Sequence, residues 1–180
     1  MSSSMVWHDT RLAGTAPAIA PNTYTVDATT PIQHAIGWIT TYARNNGGLT
    51  DLFVMAHGYE AIISDAAAQQ SVMRGGFGVQ ICRESLLPGN LQLMSSLDGL
   101  IGIITLYCCA PADTHPQNRS RYGDGERFCR ELAAITNAEV VAAVETQYYN
   151  TSGTNNQINF GNWEGAVYRF SPDGSKSRIQ

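Results

Sequence analysis

The sequence lacks any apolar run near the ~18 residues that a membrane-spanning helix needs, so we expect no membrane span. Basic residues are also few, with 11 Lys and Arg against 15 Asp and Glu, and they are scattered along the chain. A nucleic-acid-binding surface needs clustered basic side chains, so we expect no nucleic-acid partner. The start of the chain, MSSSMVWHDT, has neither a cationic flank nor an apolar core typical of a secretory signal. The compartment therefore stays open between the cytoplasm and export by a signal-free route.

Cysteine is scarce, and its spacing excludes several roles. The chain has four cysteines, Cys82, Cys108, Cys109 and Cys129, without a C-x2-C pair. Zinc sites use such pairs or closely spaced histidines, so we expect no metal site. We predict no other cofactor either. A disulfide between the adjacent Cys108 and Cys109 would strain the peptide that joins them. Each cysteine is therefore either a small core residue or a nucleophile, and we expect Cys82 and Cys129 to lie in the core.

Helices and apolar strands alternate along the chain, which is typical of an α/β fold. Three short apolar runs show no polar alternation, as expected for strands that are buried on both faces of a parallel sheet. These runs span residues 51–56, 100–107 and 139–144, and predicted helices span 31–46, 88–97 and 124–136. We therefore expect a three-layer α/β sandwich with a largely parallel central sheet.

The predicted boundaries follow from composition. We expect one domain over residues 1–180 with its core in 22–170, and peripheral segments at 1–21 and 171–180. Further strands are predicted at 22–27 and 77–82, with an edge strand at 166–170. The polar or glycine-rich stretches 59–76, 110–123 and 150–162 are predicted to be loops, the first of them mobile.

Two of the apolar runs end in residues whose side chains can act as a general base or as a nucleophile. One ends in His57-Gly58 and another in Cys108-Cys109. Because functional groups of parallel sheets collect at the carboxyl ends of the strands, a thiol and an imidazole would meet if these strands are neighbours. A histidine can accept the proton of a thiol that attacks a carbonyl, and the N–H of a glycine can approach the resulting oxyanion. Spacing alone does not separate this dyad from buried structural residues.

Several blocks resemble the caspase–hemoglobinase superfamily, the clan CD cysteine peptidases, in its bacterial caspase-like branch. DLFVMAHG and GLIGIITLYCC are similar to the two signature blocks, and GERFCRELAAITNA followed by EVVAAV is similar to what comes next. The resemblance covers roughly residues 31–149. It implies a caspase-like fold, Cys109 as the nucleophile rather than Cys108, and His57 as general base and acid. It also implies an oxyanion hole from the backbone N–H groups of Gly58 and Cys109.

The substrate implied by the resemblance is a peptide or protein, and the bond is cleaved through a thioester acyl-enzyme. The motif Q-A-C-x-G of caspases is absent, so their preference for aspartate is not implied. Glu145 and Tyr148 follow the third apolar run and are candidate substrate-binding residues, although Glu145 could also be an ordinary solvated charge. Asp113 and His115, after the cysteine pair, could orient or gate the site.

Two alternatives remain open at the level of the sequence. The chain could be a non-catalytic caspase-like binding or scaffold module, because a fold does not fix a function. It could also be an amidase or another acyl-transfer enzyme that acts on a non-protein amide with the same dyad. A serine hydrolase is disfavoured by the absence of G-x-S-x-G, and nucleotide binding by the absence of G-x-G-x-x-G and P-loop motifs.

Overall fold

The three apolar runs form the middle of a seven-stranded sheet in the computed structural model, which describes residues 3–65, 70–114 and 123–180. The predicted mixed α/β fold with a mostly parallel central sheet is confirmed. The strands in chain order are β1 (Ser4–Asp9), β2 (Asn22–Val26), β3 (Leu49–Met55), β4 (His57–Gly58), β5 (Ala61–Asp65), β6 (Gln70–Arg74), β7 (Val79–Gln80), β8 (Ile101–Tyr107), β9 (Glu139–Ala143), β10 (Asn150–Ser152), β11 (Gln157–Asn159), β12 (Val167–Phe170) and β13 (Lys176–Arg178).

The helical elements are α1 (Ile32–Asn45), a 3₁₀ helix (Leu91–Leu97) and α2 (Gly125–Thr136). Helix α2 begins where the carboxylate of Asp124 accepts a hydrogen bond from the Arg127 N–H at 3.1 Å, which satisfies one of the free amides of the first turn. It ends at Asn137, whose φ of 50° is left-handed and stops the helical pattern. The short 3₁₀ helix replaces the longer helix predicted over 88–97.

The direction of the chain across the sheet determines which face the helices cover. The order of the strands across the sheet is β13-β12-β9-β8-β3-β1-β2. Following the chain from β2 to β3, then to β8 and then to β9, each strand lies further toward the β13 edge than the one before it. Right-handed crossovers then place α1, the 3₁₀ helix and α2 on one face, where they share a single buried cluster. The step from β1 to β2 runs the opposite way, and its connection lies on the other face with the β10–β11 hairpin.

The first strand corrects the predicted domain boundaries. Residues 1–21 were expected at the periphery, yet β1 lies between β2 and β3 inside the sheet. Met5, Val6 and Trp7 have no exposed surface. The predicted peripheral C-terminal segment 171–180 contains β13, which forms the edge of the sheet and pairs antiparallel with β12. The predicted edge strand at 166–170 is therefore an inner strand.

Two segments that were predicted as loops contain paired strands instead. Strands β5 and β6 form an antiparallel pair within 59–76, and β10 and β11 form a hairpin within 150–162. Their polar composition gave no apolar run, and each pair is formed by cross-strand hydrogen bonds rather than by burial of a whole strand. The predicted strand at 77–82 is reduced to β7, which pairs with β4. None of the helices in the described ranges is long and apolar enough to cross a membrane.

The central position of β1 predicts a large cost for truncating its side chains. Met5→Ala removes a fully buried side chain, and we expect a loss of about 2–5 kcal/mol in the free energy of unfolding because the cavity left behind cannot collapse fully. Met73→Ala makes the same change in a side chain that is 56% exposed, and we expect an effect within about 0.5 kcal/mol. Urea unfolding of both variants checks this, and equal effects would contradict the central placement of β1.

Candidate active site

Parallel pairing of β3 with β8 brings His57 and Cys109 to the same edge of the sheet. The ladder pairs Met55 with Tyr107, and the Ala56 N–H donates to the Tyr107 carbonyl at 3.3 Å. His57 and Cys109 each lie two residues beyond that last pair, so the two strands deliver them at matching positions. This edge is also where the sheet order reverses, between β3 and β1, and such a reversal opens a crevice at the carboxyl ends of the strands.

Gly58 lies directly against the backbone of Cys109. A Cβ atom added at Gly58 would lie 2.8 Å from the Cys109 nitrogen and would overlap its carbonyl oxygen. Any side chain at position 58 would therefore push the two segments apart. The close approach also lets the backbone N–H of Gly58 face the Cys109 thiol, where it acts to lower the pKa of that group. The absence of a side chain at Gly58 thus has a steric basis, while the oxyanion hole from the Gly58 and Cys109 N–H groups stays a prediction.

The ring of His57 is oriented by a backbone carbonyl. Its Nε2 lies 3.0 Å from the carbonyl oxygen of Arg11, in the segment that follows β1. A carbonyl oxygen can only accept, so Nε2 carries the proton and Nδ1 is the unprotonated nitrogen of the neutral ring. Nδ1 is therefore the atom of His57 that can accept a proton from a reacting group.

The segment that holds this carbonyl is anchored by an ion pair between the buried Asp9 and the partly exposed Arg11, which the sequence did not indicate. The Arg11 guanidinium donates to both carboxylate oxygens of Asp9, at 2.8 and 2.7 Å, and to the carbonyl of Cys82 at 2.6 Å. Asp9 is fully buried and also accepts from the N–H of Cys82 at 2.8 Å. Burial raises the pKa of Asp9, but the hydrogen bonds from Arg11 and Cys82 outweigh it and lower the pKa overall.

Cys109 is the only one of the four cysteines whose side chain is appreciably exposed to solvent. Cys82, Cys108 and Cys129 are 0–2% exposed, and Cys108 packs in the cluster beneath the helices. Burial raises the pKa of Cys109 as well, and the negative charge of Glu60 adds to the increase. The N–H groups of Gly58 and Gln147 oppose this increase in the pKa but do not cancel it. In the free protein the group is therefore a thiol, and its proton must be removed when it reacts.

The turn after Cys109 is strained and tightly held. Ala110 has a φ of 41°, a left-handed conformation that is unfavourable for a residue with a side chain. Its N–H donates to the Glu145 carbonyl at 3.1 Å, and its carbonyl accepts from the Gly76 N–H at 2.9 Å. These bonds fix the turn between the segment after β9 and the end of β6.

Both predicted substrate-binding residues, Glu145 and Tyr148, line a cavity of about 220 Å³. Ala110, which follows Cys109 in the chain, also lines it. Asp113 also lines this cavity, and its carboxylate accepts from the Gly75 N–H at 3.0 Å. His115 lies outside the described residues. Sequence reasoning missed the other acidic lining residues, Glu60 and Glu164, because they come from segments far apart in the chain.

Within the described ranges, no group of three or more His, Cys, Asp or Glu side chains could hold a metal ion.

Comparison with known proteins adds no family assignment, since no protein-family model and no curated protein sequence matches the chain.

The ion pair between Asp9 and Arg11 predicts an acid-dependent loss of stability. The pKa of Asp9 is lowered on folding from an ordinary value of 3.8, so its contribution is fully present above that value and is lost as the pH falls through the folded pKa. We expect Asp9→Ala to lower the free energy of unfolding by about 1–3 kcal/mol at pH 7, because it leaves the buried Cys82 N–H without its acceptor and the partly exposed Arg11 guanidinium without its carboxylate. The deficit relative to the parent should shrink below about pH 3.8.

Asp98→Ala, at an exposed position after the 3₁₀ helix, is the matched control and should change little. Urea unfolding at several pH values measures both variants. A deficit for Asp9→Ala that stays constant down to pH 2 would contradict the lowered pKa.

Proposed function

We propose that this chain is a cysteine peptidase of the caspase-like type, in which Cys109 is the nucleophile and His57 the general base and acid. The observation that carries the proposal is that three groups lie at one edge of the sheet. They are the accessible Cys109, His57 with Nδ1 as its unprotonated nitrogen, and Gly58, whose backbone contacts that of Cys109. The resemblance of the two blocks that end in His57-Gly58 and Cys108-Cys109 to clan CD peptidases supports the same assignment. The proposed substrate is a peptide or protein.

The chemistry follows from the protonation states. Nδ1 of His57 accepts the thiol proton as the Cys109 sulfur attacks the carbonyl carbon of the scissile bond. The carbonyl oxygen gains the negative charge, which the N–H groups of Gly58 and Cys109 stabilise. His57 then gives its proton to the leaving amine, the C–N bond breaks, and a thioester remains on Cys109. Water, deprotonated by His57, attacks the thioester and releases the acid and the free thiol.

The raised pKa of Cys109 fits general-base catalysis better than a stable thiolate–imidazolium pair. A thiol that is held protonated by burial and by Glu60 reacts only when a base is positioned to take its proton. The neutral tautomer of His57 provides this base, and the Arg11 carbonyl keeps it in that tautomer. We therefore propose that the segment after β1, which contains Arg11, belongs to the active site because its carbonyl orients His57.

Activity of matched variants is the direct test. We expect Cys109→Ala and His57→Ala to lower kcat/KM on fluorogenic peptides by at least about 10³-fold, since each removes a member of the reacting pair. Cys108→Ala should keep most of the activity because its side chain packs beneath the helices. If Cys108→Ala abolishes cleavage and Cys109→Ala does not, the nucleophile is misassigned. If the parent cleaves no peptide but hydrolyses simple amides, the amidase alternative is favoured.

Alkylation of the free protein tests the protonation state. Because the pKa of Cys109 is raised, we expect labelling by iodoacetamide to be slow near neutral pH and to increase as the pH rises, with one label in total. Intact-mass analysis between about pH 6 and pH 10 brackets the usual thiol pKa of about 8.5. The label should be absent in Cys109→Ala and unchanged in Cys108→Ala. Fast labelling already at pH 6 would contradict a protonated resting thiol.

A further inference from the structure

Resting on the proposed peptidase activity, we infer that Asp9 is a positioning residue for His57, acting through Arg11 and Cys82. Two chains of hydrogen bonds lead from its carboxylate, one to the imidazole ring of His57 and one to its backbone. Asp9 takes no part in making or breaking bonds with the substrate. Its role is to keep the basic nitrogen of His57 directed at the reacting group.

The first chain of contacts runs from Asp9 to the ring of His57 through one residue. The Oδ1 atom of Asp9 accepts from the backbone N–H of Arg11 at 3.0 Å and from its Nε at 2.8 Å, and Oδ2 accepts from its Nη2 at 2.7 Å. The carboxylate therefore holds Arg11 by its backbone and by its guanidinium at once. The carbonyl oxygen of Arg11 lies 3.0 Å from Nε2 of His57, so the residue that Asp9 fixes is also the one that orients the ring.

The second chain of contacts runs from Asp9 to the backbone of His57. The Oδ2 atom of Asp9 accepts from the N–H of Cys82 at 2.8 Å, and the Arg11 guanidinium donates to the Cys82 carbonyl at 2.6 Å. Just before Cys82, strand β7 pairs antiparallel with β4, with Gln80 opposite His57. Segment 79–82 thus contacts the backbone of His57 at one end and the ion pair at the other. The ion pair closes a ring of contacts that holds His57 at both its backbone and its imidazole.

Cys82 has a conformation that depends on these bonds. Its φ of 56° is left-handed, which is unfavourable for a residue with a side chain and persists only where the surroundings hold it. Asp9 binds its N–H, and Arg11 binds its carbonyl. Removing the Asp9 carboxylate takes away the first bond and frees the guanidinium that makes the second. We therefore expect segment 79–82 to relax in such a variant.

A second histidine limits how far the disturbance spreads. Nε2 of His8 lies 3.0 Å from the carbonyl oxygen of Leu12, and the N–H of Leu12 donates to the backbone carbonyl of Asp9 at 3.0 Å. His8 and Leu12 are each only 2% exposed. Because these contacts do not involve the Asp9 carboxylate, its loss should be felt at Arg11 and Cys82 rather than along the whole turn. The expected result is a misdirected His57 in a folded protein.

The first experiment measures the tautomer of His57 and needs no turnover. The hydrogen bond that a ring nitrogen makes decides which nitrogen of a neutral imidazole carries the proton. In long-range ¹H–¹⁵N spectra of histidine-labelled protein, the parent should show His57 protonated at Nε2, with the signals assigned by their loss in His57→Ala. Asp9→Asn should show a mixture of both tautomers. Met5→Ala, which truncates a fully buried side chain of the same strand, is the control for lost stability and should keep the parent tautomer.

The second experiment measures kcat and KM separately on a fluorogenic peptide. We expect Asp9→Asn to lower kcat by about 10- to 100-fold with KM nearly unchanged, because a misdirected base slows the chemical step without removing a contact to the substrate. Met5→Ala should keep the parent kcat. Arg11→Met is a second variant at a side chain that is 26% exposed, so it should fold even if Asp9→Asn does not. It keeps the bond from its backbone N–H to Asp9, and we expect a smaller decrease in kcat and a smaller shift of the tautomer.

The outcomes separate the inference from the proposed function. If the variants at Asp9 and Arg11 keep the parent tautomer and kcat, the inference is overturned and the peptidase proposal stands. If Met5→Ala changes both quantities as much as Asp9→Asn does, lost stability explains the effect and the inference is overturned as well. If Asp9→Asn shifts the tautomer but the parent cleaves no peptide, the positioning of His57 by Asp9 stands and the proposed function is contradicted.

Discussion

The parallel register between β3 and β8 is the constraint on which the candidate site depends. It places His57 and Cys109 at matching positions beyond the last paired residues. A shift of one residue would turn every side chain of β3 to the opposite face and would take Leu52 and Val54 out of the cluster under the helices. Core packing therefore enforces the register, and the same packing determines which residues emerge at the edge. The alternation also separates the two cysteines, since Cys108 shares the helix-side cluster and Cys109 does not.

Three further features depend on that edge. The absence of a side chain at Gly58 allows two strand ends to approach closely enough for one backbone N–H to face the thiol. The Arg11 carbonyl, anchored through Asp9, selects the tautomer of His57. The strained turn at Ala110 directs the chain from Cys109 into the wall of the cavity that Glu60, Glu145 and Glu164 also line. Strain of this kind persists only where surrounding bonds hold it, and here they come from Glu145 and Gly76.

The sequence predicted the parts of this arrangement that are encoded locally. Apolar runs that end in His57-Gly58 and Cys108-Cys109 identify buried strands and the residues at their ends, and the periodic apolar face of α1 identifies a helix. The position of β1 depends on pairing with strands that lie on both of its sides, and its apolar core of three residues is too short to signal this. The contacts of Asp9 and Arg11 with Cys82, and the presence of Glu60 and Glu164 at one cavity, likewise join segments that are far apart in the chain, which no local pattern encodes.

The central claim is that Cys109 forms a thioester with the acyl part of a peptide. Rapid acid quench of the protein with a peptide ester or thioester, followed by intact-mass analysis and peptide mapping, tests it most directly. The account predicts a transient adduct with the mass of the acyl group on Cys109, absent in Cys109→Ala and formed much more slowly in His57→Ala. An adduct on a residue other than Cys109 would contradict it. Consumption of the substrate without a covalent adduct at any quench time would contradict it as well.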